Sequence, residues 1–168
     1  MSYGVVRTDK MTGTDNRAYL VSAKYMGSGS AATVVDNGCV VKLDGLMAGE
    51  REVYKAITPE ATSALKDIAL VATPEVIYDN GLKNLDEFTN KAGTIIRGYR
   101  LHVGDIFSVT ADALSGATSS TVVGALVELQ AGTKLKVVTS ATGGSTQVGK
   151  IIAIEETSRY KYYVIQVG

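Results

Sequence analysis

The chain has one cysteine, one histidine, two prolines, two phenylalanines and no tryptophan in 168 residues. With a single thiol, Cys39, no internal disulfide can form, so stability has to come from apolar burial or from association. One thiol and one imidazole, His102, cannot build a zinc tetrahedron without carboxylates from elsewhere. The stretch "DNGCVVKLDG" lacks the spaced acids of a calcium loop, and Asp36, Asp44 and Asp105 read as turn residues. No metal and no cofactor is expected. No apolar run approaches the roughly 20 residues that cross a bilayer, and "MSYGVVRTDKMTGTDNR" has neither an apolar signal core nor a small-residue cleavage site. This predicts a protein made in the cytoplasm, without a membrane partner. The 17 basic and 17 acidic residues balance, and no dense charge run marks a phosphate-binding face, so nucleic acid is not an expected partner.

What the chain has is glycine, 18 residues of it, with 45% hydrophobic residues and only 20% charged ones. That composition suits strands joined by glycine turns, and the length suits one main domain. Three pieces share an opening: "VGDIFSV" from Val103, "VGALVEL" from Val123 and "VGKIIAI" from Val148. Gly104, Gly124 and Gly149 are read as residues that leave a turn and begin a strand, because glycine accepts backbone angles or close neighbours that a Cβ obstructs. From Thr94 onward six strand-length pieces follow one another: "TIIRGYRL", "VGDIFSVT", "VGALVEL", "TKLKVV", "VGKIIAI" and "RYKYYVIQV". Their length and spacing predict a small β-barrel or sandwich over residues 94–168.

The first 93 residues are less regular. Residues 1–32 mix short apolar pieces with Thr, Asp, Asn and Gly and end in "GSGS", which reads as an extended N-terminal arm. The arm is too apolar to stay solvated, so either the rest of the chain or a partner is expected to cover it, and on another protein it would order by strand addition or by filling grooves. In that role Tyr3, Val5, Val6, Tyr19 and Leu20 supply buried area, and Arg7, Asp9, Lys10, Asp15 and Arg17 supply polar contacts. Residues 33–93 are read as a middle region. In it "TVVDNGCVVKLDG" forms a hairpin about Asp36-Asn37-Gly38, "EREVYKAI" is a strand, and "PEATSALKD" has at most one or two helical turns. "DIALVATPEVIYD" is strand-like on both sides of Pro74, and "NLDEFTNKAG" is one short helix capped by Asn84 and stopped by Gly93. The fold class is therefore mainly β, with an extended arm, a hairpin middle region and a C-terminal barrel or sandwich.

Few residues are equipped for chemistry. A Cys39–His102 dyad has no flanking motif, and a lone cysteine after a turn among "CVVKL" reads as core. "GSGSAAT" and "TGGSTQVGK" are glycine-rich but have neither P-loop spacing nor a following helix, and Lys150 opens a strand. Nine Tyr against two Phe is a real bias. Alternation places Tyr160 and Tyr162 on one face of the last strand and Tyr163 on the other. That reads as one core face and one protein-interface face. An alternative is a glycan- or ligand-binding β module with a concave patch of Tyr99, Tyr160 or Tyr162.

The phrases "YGVVRTDKMTGTDNRAYL", "VVKLDGL", "EREVYKAITP", "IALVATPEVIYD", "RGYRLHVGDIFSVTADAL" and "AGTKLKVV" with "VGKIIAIEE" together resemble the capsid decoration, or cement, proteins of tailed bacteriophages. The similarity spans nearly the whole chain and is one of texture, with no catalytic signature. It implies a non-enzymatic structural protein of the virion that binds the major capsid protein on the outer surface of an expanded capsid and stabilises the shell. A homo-oligomer, with a trimer favoured, is part of that implication. Deleting residues 1–20 is then expected to abolish shell binding and to leave the C-terminal barrel folded.

Overall fold

The computed structural model describes residues 2–78, 81 and 84–168. Its strands are β1 (Val6–Lys10), β2 (Leu20–Tyr25), β3 (Val40–Leu46), β4 (Val53–Ile57), β5 (Ile68–Val71) and β6 (Ile95–Arg100), then β7 (Ile106–Thr110), β8 (Leu114–Ser115), β9 (Leu126–Glu128), β10 (Leu135–Val138), β11 (Gln147–Glu156) and β12 (Lys161–Val167). One single-turn helix, α1 (Thr12–Asp15), follows β1. The strands make two bodies: a closed five-stranded barrel in the order β2-β4-β3-β5-β6, and a seven-stranded sheet in the order β1-β7-β12-β11-β9-β10-β8.

The mainly-β class and the small barrel hold, but the barrel is not where the strand spacing places it. It is built from residues 20–100, and "TIIRGYRL" supplies its closing strand β6, paired with both β5 and β2. The other five C-terminal pieces become β7, β9, β10, β11 and β12 of the sheet. Alternation fills the barrel: Val21, Ala23 and Tyr25 of β2 and Ile96 of β6 point inward, while Ser22 and Arg97 stay outside. A five-stranded barrel has a narrow interior, so small residues line it. A Cβ on Gly98 would stand 3.1 Å from the Val21 Cγ2 and 3.2 Å from the Ala69 Cβ.

β5 joins the two bodies. All four of its residues are fully buried. Ala69 and Val71 point into the barrel, and Ile68 and Leu70 point into the second core, beside Phe107, Val127, Leu135, Ile151 and Ile165 of the sheet.

The N-terminal segment is part of this body and not a free arm. The Tyr3 N–H donates to the Asp86 carbonyl at 2.8 Å, and Val5 and Thr110 exchange hydrogen bonds at 3.1 Å. Val6 and Arg7 pair antiparallel with Val109 and Ser108 of β7. Gly4 is packed so closely on the Asn37 carbonyl and Ala113 that a Cβ would collide with both. Val5 and Met11 are core residues, and β2 is a barrel strand. The apolar pieces that seem to need a partner are covered by the rest of their own chain. Removing residues 1–20 would strip out β1, α1 and the first residue of β2, so that truncation tests folding and not docking.

The middle region differs in two further ways. Asn37-Gly38 does turn, with Gly38 at φ +80°, but its flanks do not pair with each other. Val35 bridges to Asn90, while β3 pairs with β4 and β5. Asn37 is fully buried: its Nδ2 donates to the Thr73 carbonyl and to Glu75, and its Oδ1 accepts from the Thr73 N–H and from Asn90. This turn is a barrel plug, and the real hairpin is β3–β4. The expected helix at 84–93 shrinks to a 3-10 turn over Leu85–Glu87, its Asn84 N–H held by the Glu87 carboxylate at 2.8 Å. Only a short 3-10 turn, Leu65–Asp67, forms in "PEATSALKD". The chain is a strand before Pro74 and irregular from there to Tyr78, and Asp79 lies outside the described residues.

Asp105 ties α1 to the turn that begins β7. Its buried carboxylate accepts from the Thr12 N–H at 2.8 Å, the Thr12 hydroxyl at 2.6 Å and the His102 N–H at 2.9 Å. Losing a buried charged acceptor leaves two backbone N–H groups without a partner, so Asp105→Ala is expected to destabilise the fold by about 2–4 kcal/mol. Urea unfolding followed by tyrosine fluorescence measures it, and a change under 1 kcal/mol would contradict this role.

Candidate functional site

The residues expected to contact a partner are distributed unequally. Tyr3, Val6, Tyr19 and Leu20 are half-buried, and Val5 is 1% exposed. Tyr19 packs against His102 with ring centroids 4.0 Å apart. Arg7 is engaged inside the chain: its Nη2 donates to Glu155 at 2.6 Å and to Ser108 Oγ at 3.3 Å, and its guanidinium lies 4.1 Å over the Tyr162 ring. The hydrogen bond to Glu155 raises the Arg7 pKa against the opposing effect of burial. Asp9 accepts a short hydrogen bond from Ser108. This cluster clasps β1 onto β7, β12 and β11. Lys10, Asp15 and Arg17 remain exposed.

Cys39 and His102 are placed apart in the architecture. Cys39 lies in the barrel core, where burial pushes its thiol up to about 11. His102 sits in the connection from barrel to sheet, half-buried, its Nδ1 3.2 Å from the Arg100 carbonyl. No group of three or more His, Cys, Asp or Glu among the described residues is placed to hold a metal ion, and no helix among them is long and apolar enough to cross a membrane.

The tyrosine alternation is as expected, with a different outcome for the faces. Tyr160 and Tyr162 share a face, in edge contact with centroids 6.0 Å apart, and Tyr163 joins the sheet-side core. Tyr162 is only 5% exposed and Arg7 covers its ring; burial raises its pKa. The Tyr160 ring has Arg159 over it, and its hydroxyl donates to Asp86 at 2.9 Å. Tyr99 lies elsewhere, beside a shallow hollow between Val6 and Pro74. The three rings do not make one concave aromatic patch.

Two further surfaces stand out among the described residues. The first is a groove of about 560 Å³ on the outer barrel wall, lined by Arg17, Ser22, Arg51, Glu52, Tyr54 and Arg97 among others. β2 forms its floor: Ser22 is opposite Arg97 of β6 on one side and Val53 of β4 on the other. Arg17 reaches it from the 3-10 turn Arg17–Tyr19, whose start is held by the Asn16 side chain accepting from the Ala18 N–H. Among the described residues none of the three guanidiniums makes an ion pair or a side-chain hydrogen bond within the chain. Of the ten contact residues singled out from sequence, only Arg17 and Leu20 line this groove. Arg97 was legible in principle, from its outward position in "TIIRGYRL"; Arg51 was not, because it precedes its strand.

The second is the region of the sheet where the Val-Gly turns meet β11 and β12. The Gly104 N–H donates to the Val167 carbonyl at 2.9 Å and the Gly124 N–H to the Ile151 carbonyl at 2.8 Å, while Gly149 is directly opposite Val167. Gly104 and Gly124 leave turns with φ +97° and +94°, as expected. Gly149 differs: it is inside β11, and a Cβ there would collide with the Gln166 carbonyl. Val103, at the first turn, is 78% exposed, and Val122 and Val123, at the second, are 62% and 57% exposed. A hollow of about 420 Å³ runs beside Val103, between Lys150 and Gly168.

Comparison with protein-family models, curated proteins and solved structures finds no match for the chain.

Two buried groups give direct tests of these assignments. Glu128, 2% exposed, accepts from the Thr142 N–H at 3.0 Å and from Lys136 at 3.3 Å. Hydrogen bonding from Thr142 holds its carboxyl below the ordinary range, against burial and with help from Lys136. The folded state thus binds this proton more weakly than the unfolded one. The stability it contributes is present above the ordinary carboxylate pKa and is lost as pH falls through the lowered folded value. Glu128→Gln should cost about 1–2 kcal/mol at pH 7, a gap that closes on acidification through about pH 4 and below. Chemical denaturation across that range reads it. For Cys39, a thiol at about 11 inside the barrel should label slowly with a disulfide reagent at pH 7 and at once in denaturant. Rapid labelling of the native protein would place the thiol outside the core.

Proposed function

We propose that this protein is a non-enzymatic structural virion protein that binds the outer surface of an expanded phage capsid and stabilises the shell. The observation that carries the reading is the exposure of Val103, Val122 and Val123 at two Val-Gly turns. Three valines are held out in water on turns braced by backbone hydrogen bonds to β11 and β12. Exposed apolar side chains on a rigid frame lose little conformational freedom on binding, which favours a fixed protein contact. The resemblance of the chain's phrases to capsid decoration proteins supports the same reading. Its partner is then the major capsid protein, and its place is the virion exterior after synthesis in the host cytoplasm. A trimer at the junction of capsomers is the assembly that the resemblance implies.

The mechanism differs from that of a tethering arm. The docking surface is presented by the folded body, since the N-terminal segment is consumed in holding barrel and sheet together. Each bound copy stabilises only the shell state that presents its site, so many weak contacts on a lattice add up to resistance against rupture.

The experiment is sedimentation of the purified protein with emptied, expanded heads and with unexpanded proheads of its phage. Saturable binding to expanded heads alone is expected. The double change Val103→Ser with Val123→Ser should reduce bound copies at least about tenfold at a fixed protein concentration, the effect of losing about 1.4 kcal/mol, without lowering the melting temperature. Absence of binding to both shells would end the proposal.

A further inference from the structure

We infer that the groove over β2 is a binding site for carboxylates, taking an acidic segment of a partner protein. The chain is neutral overall, yet three arginines and a single acid, Glu52, converge on this one concavity. Arg7 and Arg159 are held in ion pairs within the chain. Among the described residues Arg17, Arg51 and Arg97 have no such partner. Their planar forks match carboxylates bidentately, and the Ser22 hydroxyl between them is a further donor.

Carboxylates fit the groove better than a nucleic acid does. A single-stranded nucleic acid needs a long basic track with open aromatic faces for its bases. The groove's aromatic ring, Tyr54, already has the Arg100 guanidinium 5.1 Å over it, and Glu52 would repel a closely spaced run of phosphates. A peptide carries its carboxylates on flexible side chains, which can turn toward the arginines and away from Glu52. The partner's identity as a capsid protein rests on the function proposed above; the chemistry of the groove does not.

The test is fluorescence anisotropy with the full-length protein, using a labelled hexaglutamate peptide and, separately, a labelled oligothymidylate. Hexaglutamate should bind saturably at low salt and weaken as salt rises. Arg51→Gln and Arg97→Gln should each lower its affinity about tenfold or more, the effect of one lost charge-assisted contact. Lys66→Gln, outside the groove, should leave it unchanged. Melting temperatures of the arginine variants should match the parent, because these guanidiniums hold nothing in the fold. The inference is overturned if the peptide does not bind, if the arginine changes leave its affinity unaltered, or if the oligothymidylate binds more tightly. The titration contains no capsid. Peptide binding without shell binding therefore overturns the virion role alone, and shell binding without peptide binding overturns the groove alone.

Discussion

The structure depends on one strand of four residues having no solvent face. Ile68, Ala69, Leu70 and Val71 are each fully buried, and their alternation sends two side chains into the barrel and two into the sheet-side core. A strand buried on both faces cannot slip register by one residue without exchanging Ala69 for the larger Leu70 inside the barrel, where Gly98 and Val21 pack against it. Barrel and sheet are thereby held as one body. Without that shared strand each would expose an apolar face.

The N-terminal segment closes the seam left by this arrangement. β1 extends the sheet beyond β7, Gly4 lets the chain pass tightly over Asn37 and Ala113, and Asp105 fastens α1 to the start of β7. Polar residues that read as contacts for a partner are used internally: Arg7 on Glu155 and Tyr162, and Asp9 on Ser108. The proposed contacts accordingly rest on surfaces that the closed body still presents. These are the exposed valines at two Val-Gly turns and the arginine groove, the first apolar and the second cationic.

The six C-terminal strands, the strand "EREVYKAI" and the turn at Asn37-Gly38 were legible because they rest on local signals: β-branched alternation, and glycine where φ must be positive. Asn37 shows where local reading ends. An Asn-Gly between two apolar runs is the signal of a hairpin, but here the side chain's four hydrogen bonds to Thr73, Glu75 and Asn90 hold the turn as a plug. The helix expected at 84–93 failed for a related reason. After one turn the chain extends so that Asn90 can bridge Val35, a contact 55 residues away in sequence. The groove was the least legible feature, since Arg17, Arg51 and Arg97 belong to three separate segments and meet only through the pairing of β2 with β4 and β6.

By itself the sequence determined the class: a mainly β chain with no disulfide, strands of a given length, and glycines where a turn or a close approach demands them. These follow from the period of apolar residues and from backbone sterics, which act over a few residues. Tertiary structure decided which strands pair, that residues 1–32 are seam and not arm, that the barrel is made from residues 20–100, and which charges remain unpaired. Those outcomes depend on which apolar faces find each other across long stretches of chain, and a strand's own pattern says that it must be covered without saying by what.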